Sequence, residues 1–285
     1  MYESFFGLSE PAFALAPDPR RLWQGETHEE GLATLLYGIT RRKGFLLLTG
    51  DVGVGKTTLL RAALEALPRE VDVAFVLNTH QLGPNDLLEM VVREFAIPGQ
   101  LRSRVDRLYA VADFLVESAR QGRNTVLVVD EAHNLGPESL EEIRLLSNYE
   151  TLGEKLLQIV LCGQSELRQT LELPQLRPLR QRIALEHHVR PLAVKDVRPY
   201  LSHRLAMAGG HFDDVFKPGV ELLLHSSARG YPRVLNLLAD RLLLAAYAKK
   251  IRPIPPDFAR DLLRRLAQER RDAARAVPLP DPGDD

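Results

Sequence analysis

The stretch Thr49-Gly50-Asp51-Val52-Gly53-Val54-Gly55-Lys56-Thr57-Thr58 decides the fold of this chain. It follows the apolar run from Phe45 to Leu48, and it opens a segment whose apolar residues recur at helical spacing. Its glycines, lysine and first threonine have the spacing of a phosphate-binding P-loop. Glycines let the backbone turn so that its N–H groups face an anion, and the positive end of the following helix favours the same charge. The pattern therefore predicts a strand, a phosphate-binding loop and a helix.

Every residue of this loop is a candidate for contact with a nucleotide. The candidates are Gly50, Asp51, Val52, Gly53, Val54, Gly55, Lys56, Thr57 and Thr58. We expect Lys56 to reach the β- and γ-phosphates of ATP, and Thr57 to hold Mg²⁺ through its hydroxyl. The alternative is a glycine-rich turn that matches by chance. The strand before the loop and the helix after it favour the P-loop.

A second motif for a nucleotide site lies in Val126-Leu127-Val128-Val129-Asp130-Glu131. A buried apolar strand here delivers two carboxylates to its C-terminal end, where open parallel sheets place their ligands. We expect Asp130 to hold Mg²⁺ and Glu131 to orient and polarise the attacking water, because phosphoryl transfer depends on positioning and electrostatics. An acidic pair that only caps a helix is the alternative. The tetrapeptide from Asp130 to His133 also matches a helicase box, but the helical remainder leaves no room for a second motor domain.

Composition sets limits on the class of protein. The 285 residues carry a formal net charge of −1, so contact with nucleic acid or anionic lipid needs a local basic patch. Cys162 is the one cysteine, which excludes an intramolecular disulfide and favours a reducing compartment. The N-terminus lacks the pattern of a signal peptide, and no apolar run approaches the roughly 20 residues of a membrane span. We therefore expect a cytoplasmic protein.

Alternation of strands and helices predicts an α/β fold with a parallel sheet flanked by helices. The predicted strands are 45–48, 71–77, 125–129, 156–161 and 183–189. From Pro191 the strand pattern stops, and four helical segments follow between residues 197 and 271. We therefore predict three parts. They are a nucleotide-binding α/β domain over 1–190, a small all-α lid domain over 191–271 and a disordered tail over 272–285.

The N-terminal segment 1–27 is rich in aromatic residues and interrupted by prolines. Such a segment is a poor candidate for a regular helix, yet it is too apolar for a free tail. We expect it to pack as a lariat on the α/β domain. Contact with the base of a nucleotide and plain packing are both open.

The chain resembles the AAA+ superfamily and, within it, the general secretion pathway protein A group of ATPases. The joint order of the motifs is more specific than the P-loop alone, and they span residues 2 to about 248. The residues that carry the resemblance are Tyr2-Glu3-Ser4-Phe5-Phe6-Gly7-Leu8, Pro11, Phe13, Gly50 to Thr58, Asp130-Glu131-Ala132-His133-Asn134-Leu135, Leu145-Leu146-Ser147-Asn148, Leu161-Cys162-Gly163-Gln164, Gln181-Arg182-Ile183 and Gly230-Tyr231-Pro232-Arg233.

The resemblance implies roles for three further residues. Gln164 would be a sensor that hydrogen-bonds the γ-phosphate or the attacking water, with a polar strand cap as the alternative. Arg182 would be an arginine finger for a neighbouring subunit, where it stabilises charge in the transition state. Arg180 is a rival for that role and Arg177 a weaker one. Arg233 would reach the phosphates from the lid, with a buried structural arginine as the alternative.

The resemblance further implies an ATP-driven, Mg²⁺-dependent homo-oligomer in bacterial secretion or in pilus or envelope assembly, working with a partner protein at the inner membrane. Relatives in that group continue into a membrane span and a periplasmic part, which we do not find in this chain. Two alternatives stay open: a DNA-binding ATPase that regulates transposition, and a slow nucleotide-dependent scaffold. The basic candidates for a DNA surface have acidic residues among them, which favours solvated helix faces. They are Arg41, Arg42, Lys43, Arg102, Arg104, Arg107, Arg260, Arg264, Arg265, Arg270, Arg271 and Arg275.

The histidines do not form a metal-binding set in the sequence. His187 and His188 are neighbours on a predicted strand, where successive side chains point to opposite faces. Both therefore cannot readily bind one ion. Cys162 is expected to be a small buried core residue.

Overall fold

A computed structural model describes residues 1–16, 18–77, 79–80, 82–151 and 153–276. Five parallel strands form one sheet in the order β2-β3-β6-β1-β7, and β4 and β5 form a short antiparallel hairpin. The strands are β1 Phe45–Gly50, β2 Val71–Val76, β3 Asn124–Val129, β4 Glu150–Thr151, β5 Glu154–Lys155, β6 Leu157–Gly163 and β7 Ile183–Val189. The predicted parallel sheet is therefore confirmed.

The strand order determines which loops lie near one another. β6 lies between β1 and β3, with Leu48 opposite Cys162 and Val129 opposite Leu161. Because all these strands run in the same direction, their carboxyl ends meet at one edge of the sheet. The segments after β1, β3 and β6 therefore share that edge. All residues of these three strands are buried, as expected for strands covered on both faces.

Helices account for most of the remaining structure. They are α1 Glu3–Phe6, α2 Glu26–Thr40, α3 Lys56–Glu65, α4 Pro84–Glu94, α5 Arg104–Arg120, α6 Pro137–Leu146, α7 Glu166–Leu171, α8 Arg177–Arg180, α9 Val194–Met207, α10 Phe212–Val215, α11 Val220–Ala228, α12 Pro232–Ala248 and α13 Pro256–Ala276. Short 3-10 helices occur at Pro19–Arg21, Ala132–Asn134 and Pro174–Leu176. Among the described residues, none of these helices has the length and hydrophobicity needed to cross a membrane.

Several helices begin where the sequence carries a start signal. Proline occupies the first turn of α4, α6 and α12, where its missing N–H is not needed. The start of α5 has a capping box: Asp106 N–H donates to Ser103 Oγ over 3.0 Å, and Ser103 N–H donates to Asp106 Oδ2 over 2.9 Å. These local signals explain why the helices begin at these positions.

The chain forms two compact units, Pro17–Arg190 and a helical unit that joins Met1–Ala16 to the residues from Pro191 onward. The prediction that all of 1–27 packs on the α/β domain is wrong for residues 1–16, which belong to the helical unit. Ser9 N–H donates to Ala208 O over 2.9 Å, and the buried Arg204 donates to Ala12 O and Ala14 O over 2.9 and 2.8 Å. The helical unit supplies the apolar and polar partners that this segment needs.

The C-terminal helix is longer than predicted. α13 continues to Ala276, so residues 272–276 are helical and do not belong to the predicted tail. A run of residues with high helix propensity extends the segment beyond Arg271. Residues 277–285, the remainder of that predicted tail, lie outside the described residues.

Candidate nucleotide-binding site

The loop between β1 and α3 has the backbone geometry that its glycines predict. Gly50 has φ +155° and Gly55 has φ +102°, both in the region that favours glycine. At Gly50 a Cβ atom would lie 2.5 Å from Val189 O on the neighbouring strand β7. Gly50 is therefore required by the close approach of β7 as well as by its own conformation.

Lys56 lies at the first position of α3 and is buried, with 6% of its surface exposed. Its Nζ donates to Gly50 O over 2.9 Å and to Asp51 O over 3.0 Å. Carbonyl oxygens of the loop thus hold the ammonium group against the loop backbone. The positive charge and the N-terminus of α3 lie together, which is the arrangement that binds a phosphate.

Thr57 and Asp130 meet although they come from different elements. The Thr57 hydroxyl donates to Asp130 Oδ2 over 2.9 Å, while Asp130 Oδ1 accepts from Glu131 N–H over 2.9 Å. Asp130 is 2% exposed. A hydroxyl and a carboxylate at this separation fit Mg²⁺, which prefers oxygen ligands and takes one or two from protein beside phosphate and water. Within the described ranges, no group of three or more His, Cys, Asp or Glu side chains could hold a metal ion.

The main chain turns away from the direction of β3 at Glu131, directly after Asp130. Its φ is +53°, in the left-handed region, and Thr79 Oγ1 donates to its carbonyl oxygen over 2.7 Å. The Glu131 side chain is 43% exposed. The turn therefore directs the Glu131 carboxylate toward solvent, while the Asp130 carboxylate stays buried directly after β3.

Gln164 follows β6, the strand between β1 and β3. Its main-chain N–H donates to His133 Nδ1 over 3.3 Å, and its side-chain amide lies 2.8 Å from His133 Nε2. His133 Nε2 is also 3.4 Å from Glu131 Oε2. The next residue, Ser165, donates to Asp51 Oδ1 of the loop over 2.9 Å. A chain of contacts thus joins Glu131, after β3, through His133 to Gln164, and Ser165 continues it to the P-loop.

Two residues of this arrangement were missed by the sequence analysis. His133 lies within the quoted acidic motif, but its spacing gave no sign of its partners. Ser165 follows Gln164 and had no signal of its own. Both contacts are made between segments distant in the chain, so their residues could be found only from the strand order.

Cys162 is buried beside Asp130, as expected for a core residue. Burial raises the pKa of the Cys162 thiol, and the nearby Asp130 carboxylate raises it further. The side chain therefore stays a neutral thiol. His188, on β7, makes a 3.0 Å contact from Nδ1 to Thr49 Oγ1, and partial burial lowers its pKa, as does Arg168.

Arg182 precedes β7 and is half-buried. Its Nη1 donates to Ser147 Oγ and Asn148 Oδ1, both over 2.7 Å, and to Arg144 O over 3.3 Å. Because β7 is parallel to β1, with Ile183 opposite Phe45, Arg182 lies at the edge of the sheet opposite the P-loop. The seven residues of β7 separate the two edges by about 20 Å.

The rival arginines have different surroundings. Arg180 pairs with Glu172 over 3.0 Å and with Glu186 over 4.0 Å, so carboxylates already compensate its charge. Arg177 is exposed. Arg233 is exposed in the first turn of α12 and belongs to the helical unit, whereas the P-loop residues, Asp130, Glu131 and Gln164 belong to the other unit.

Comparison with known proteins identifies the class. Residues 39–171 match the AAA domain family. Cdc6p from Pyrobaculum aerophilum matches with a TM-score of 0.66 and 20% identity over 84% of this chain and 66% of its own. The ORC1 protein of Aeropyrum pernix, solved in complex with DNA, gives 0.64 and 20% over 95% of this chain and 73% of its own. The chain therefore has the fold of AAA P-loop proteins and contains an AAA domain.

Within that class the chain is similar to General secretion pathway protein A. It is 44% identical to that protein from Aeromonas hydrophila over 250 residues, which are 87% of this chain. The match covers 45% of the relative, so the chain spans less than half the length of that protein.

Proposed function

We propose that the protein binds and hydrolyses ATP with Mg²⁺. The observation that carries this proposal is the hydrogen bond from Thr57 to Asp130 beside the Lys56 ammonium group. It brings a hydroxyl, a carboxylate and a cation to one sheet edge, and the match to the AAA domain family supports a nucleotide site there.

Each group has a task that its position supports. Lys56 and the loop N–H groups bind the phosphates, and Thr57 with Asp130 would hold Mg²⁺. When bound, Mg²⁺ neutralises charge on the phosphate oxygens. Glu131 orients the attacking water and accepts its proton, while Gln164 donates a hydrogen bond at the reacting phosphate. Phosphoryl transfer needs this positioning more than it needs covalent chemistry from the protein.

We propose that Arg182 completes the site of a neighbouring subunit. Its distance from its own P-loop, set by the length of β7, supports action on a second copy. Its three acceptors are neutral oxygens, and among the described residues no carboxylate accepts a hydrogen bond from it, although Glu141 and Glu150 lie near enough for its charge to lower the pKa of each. Arg180 would first have to leave Glu172 and Glu186, which makes it the weaker candidate. The active form is then a homo-oligomer.

Arg233 is proposed to respond to nucleotide from the helical unit. It is exposed at the start of α12, and no ion pair compensates its charge among the described residues. A free guanidinium at a helix start suits contact with phosphate oxygens. This role makes residues 191–271 a lid whose position depends on the nucleotide.

The cellular process that uses ATP hydrolysis is proposed from the similarity to a secretion protein. Similarity to General secretion pathway protein A favours a cytoplasmic motor for secretion or envelope assembly, with a partner protein at the inner membrane. The ORC1 protein that was solved in complex with DNA shares only the fold with this chain at 20% identity, so it does not favour a DNA-dependent function.

The test is Glu131→Gln, which keeps the shape of the side chain and removes the charge. We expect unchanged binding of a fluorescent ATP analogue and a loss of phosphate release of about a hundredfold or more. Retained turnover contradicts the role of Glu131, and absent nucleotide binding in the wild type contradicts the proposed function. DNA binding that persists at physiological salt and stimulates turnover would support a DNA-dependent function, because phosphate contacts weaken steeply with salt.

A further inference from the structure

His133 lies between the two polar groups that the proposed function places around the attacking water. Its Nε2 is 2.8 Å from the Gln164 side-chain amide and 3.4 Å from Glu131 Oε2. The imidazole is 13% exposed, so few water molecules compete for it. One ring thus contacts the ends of both β3 and β6.

The main chain determines which ring nitrogen carries the proton. The main-chain N–H of Gln164 can act only as a hydrogen-bond donor, and it faces His133 Nδ1 over 3.3 Å. Nδ1 must therefore be the acceptor, and the neutral ring carries its proton on Nε2. The surroundings thus select one tautomer.

This tautomer determines the orientation of the Gln164 amide. The 2.8 Å contact joins Gln164 Nε2 to His133 Nε2. An Nε2–H group and an NH₂ group cannot donate to each other, so we infer that the amide is turned over and presents its carbonyl oxygen to His133. The NH₂ group is then the part that can donate to a phosphate oxygen. Without His133 the amide could adopt either orientation, and an oxygen facing a phosphate would repel it.

We propose that His133 is a positioning residue that orients the Gln164 amide and holds Glu131 for hydrolysis. This inference rests on the proposed function. His133 itself is proposed to contact neither the nucleotide nor the attacking water, and it acts through the side chains of Gln164 and Glu131.

Three substitutions separate positioning from packing. His133→Ala removes both contacts, and His133→Asn retains only an acceptor near the Nδ1 position. His133→Gln can place an amide N–H near the Nε2 position. We expect phosphate release to fall about tenfold to a hundredfold in the Ala and Asn variants, and to stay within about threefold of wild type in the Gln variant, with ATP-analogue affinity within about twofold in all three. His211→Ala, at an exposed histidine of the helical unit, is the control.

A double-mutant cycle tests the route through Gln164. The His133→Ala/Gln164→Ala protein should hydrolyse ATP within about threefold of the rate of Gln164→Ala alone, because His133 has lost its main target. Multiplicative losses would show that His133 does not act through Gln164 and would overturn that part of the inference. Wild-type turnover in His133→Ala, or a Gln variant as slow as the Ala variant, would overturn the inference as well.

A measurement without hydrolysis keeps the inference separate from the proposed function. Imidazole ¹⁵N NMR of the full chain, with His133 assigned from the His133→Gln spectrum, should show an unprotonated Nδ1 and a protonated Nε2. The opposite tautomer would overturn the inference even in an active enzyme. If the wild type shows no hydrolysis, the proposed function fails, and the tautomer still decides whether His133 orients Gln164.

Discussion

Thr57 donates a hydrogen bond to Asp130 over 2.9 Å, although 73 positions separate them in the chain. The contact joins the first turn of α3 to the carboxyl end of β3, and β6 lies between β1 and β3 in the sheet. The two oxygens reach each other because β1, which leads into α3, and β3 both end at the same edge of the sheet.

This pair predicts how the protein depends on Mg²⁺. Thr57→Ala removes one oxygen ligand, so we expect the Mg²⁺ concentration for half-maximal ATP hydrolysis to rise about tenfold, the equivalent of about 1.4 kcal/mol. Thr57→Ser keeps the hydroxyl and should stay close to wild type. The measurement is phosphate release against Mg²⁺ concentration, and an unchanged dependence in the Ala variant would contradict the assignment of Thr57.

Arg182 predicts complementation between inactive subunits. An Arg182→Ala subunit retains an intact P-loop, and a Lys56→Ala subunit retains Arg182. In a mixed oligomer, some sites therefore combine an intact P-loop with Arg182 from the neighbouring subunit. We expect each variant alone to be reduced about a hundredfold or more and the mixture to recover part of the wild-type rate. Arg180→Ala mixed with Lys56→Ala is the matched comparison. No recovery, although light scattering shows mixed assembly, would remove the trans role of Arg182.

Gly50 predicts a loss of stability that does not depend on nucleotide. A Cβ atom there would lie 2.5 Å from Val189 O, so Gly50→Ala must displace β7 from β1. We expect the free energy of unfolding to fall by about 1–3 kcal/mol, measured by urea unfolding. Gly136→Ala is the control, since its Cβ would meet its nearest neighbour at 3.7 Å and its φ is −70°. Equal effects at both glycines would contradict the close approach.

Asp72 on β2 predicts a dependence of stability on pH. Arg123 beside it lowers the pKa of the Asp72 carboxyl below its ordinary 3.8, and the Ser118 hydroxyl lowers it further. A lowered folded-state pKa stabilises the protein above the unfolded value and loses that contribution as the pH falls through the folded value.

The wild type should therefore be more stable than Asp72→Asn at pH 7, and the difference should shrink below about pH 4. Urea unfolding of both proteins over that range measures it. Asp113→Asn, at an exposed site on α5, is the matched control. If the difference in free energy of unfolding between the two proteins does not change with pH, the ionised Asp72 carboxylate does not stabilise the fold through Arg123.

The sequence by itself determined the strands, the P-loop and the acidic pair after β3. These features depend on neighbours in the chain: a buried strand needs a continuous apolar run, and the loop needs glycines followed by lysine and threonine. The hairpin of β4 and β5 was not predicted, because strands of two residues carry no periodic pattern. The ends of β1 and β6 were predicted two residues short, since glycine closes both strands, after Thr49 in β1 and after Cys162 in β6.

Only the tertiary structure decided which of these segments meet. Periodicity reports that an element is buried but not against which neighbour, so the position of β6 between β1 and β3 came from the sheet. That order gives His133 its partners on Gln164 and Glu131. Packing also assigned residues 1–16 to the helical unit. Such pairings join residues far apart in the chain, and their energy comes from contacts that no local pattern records.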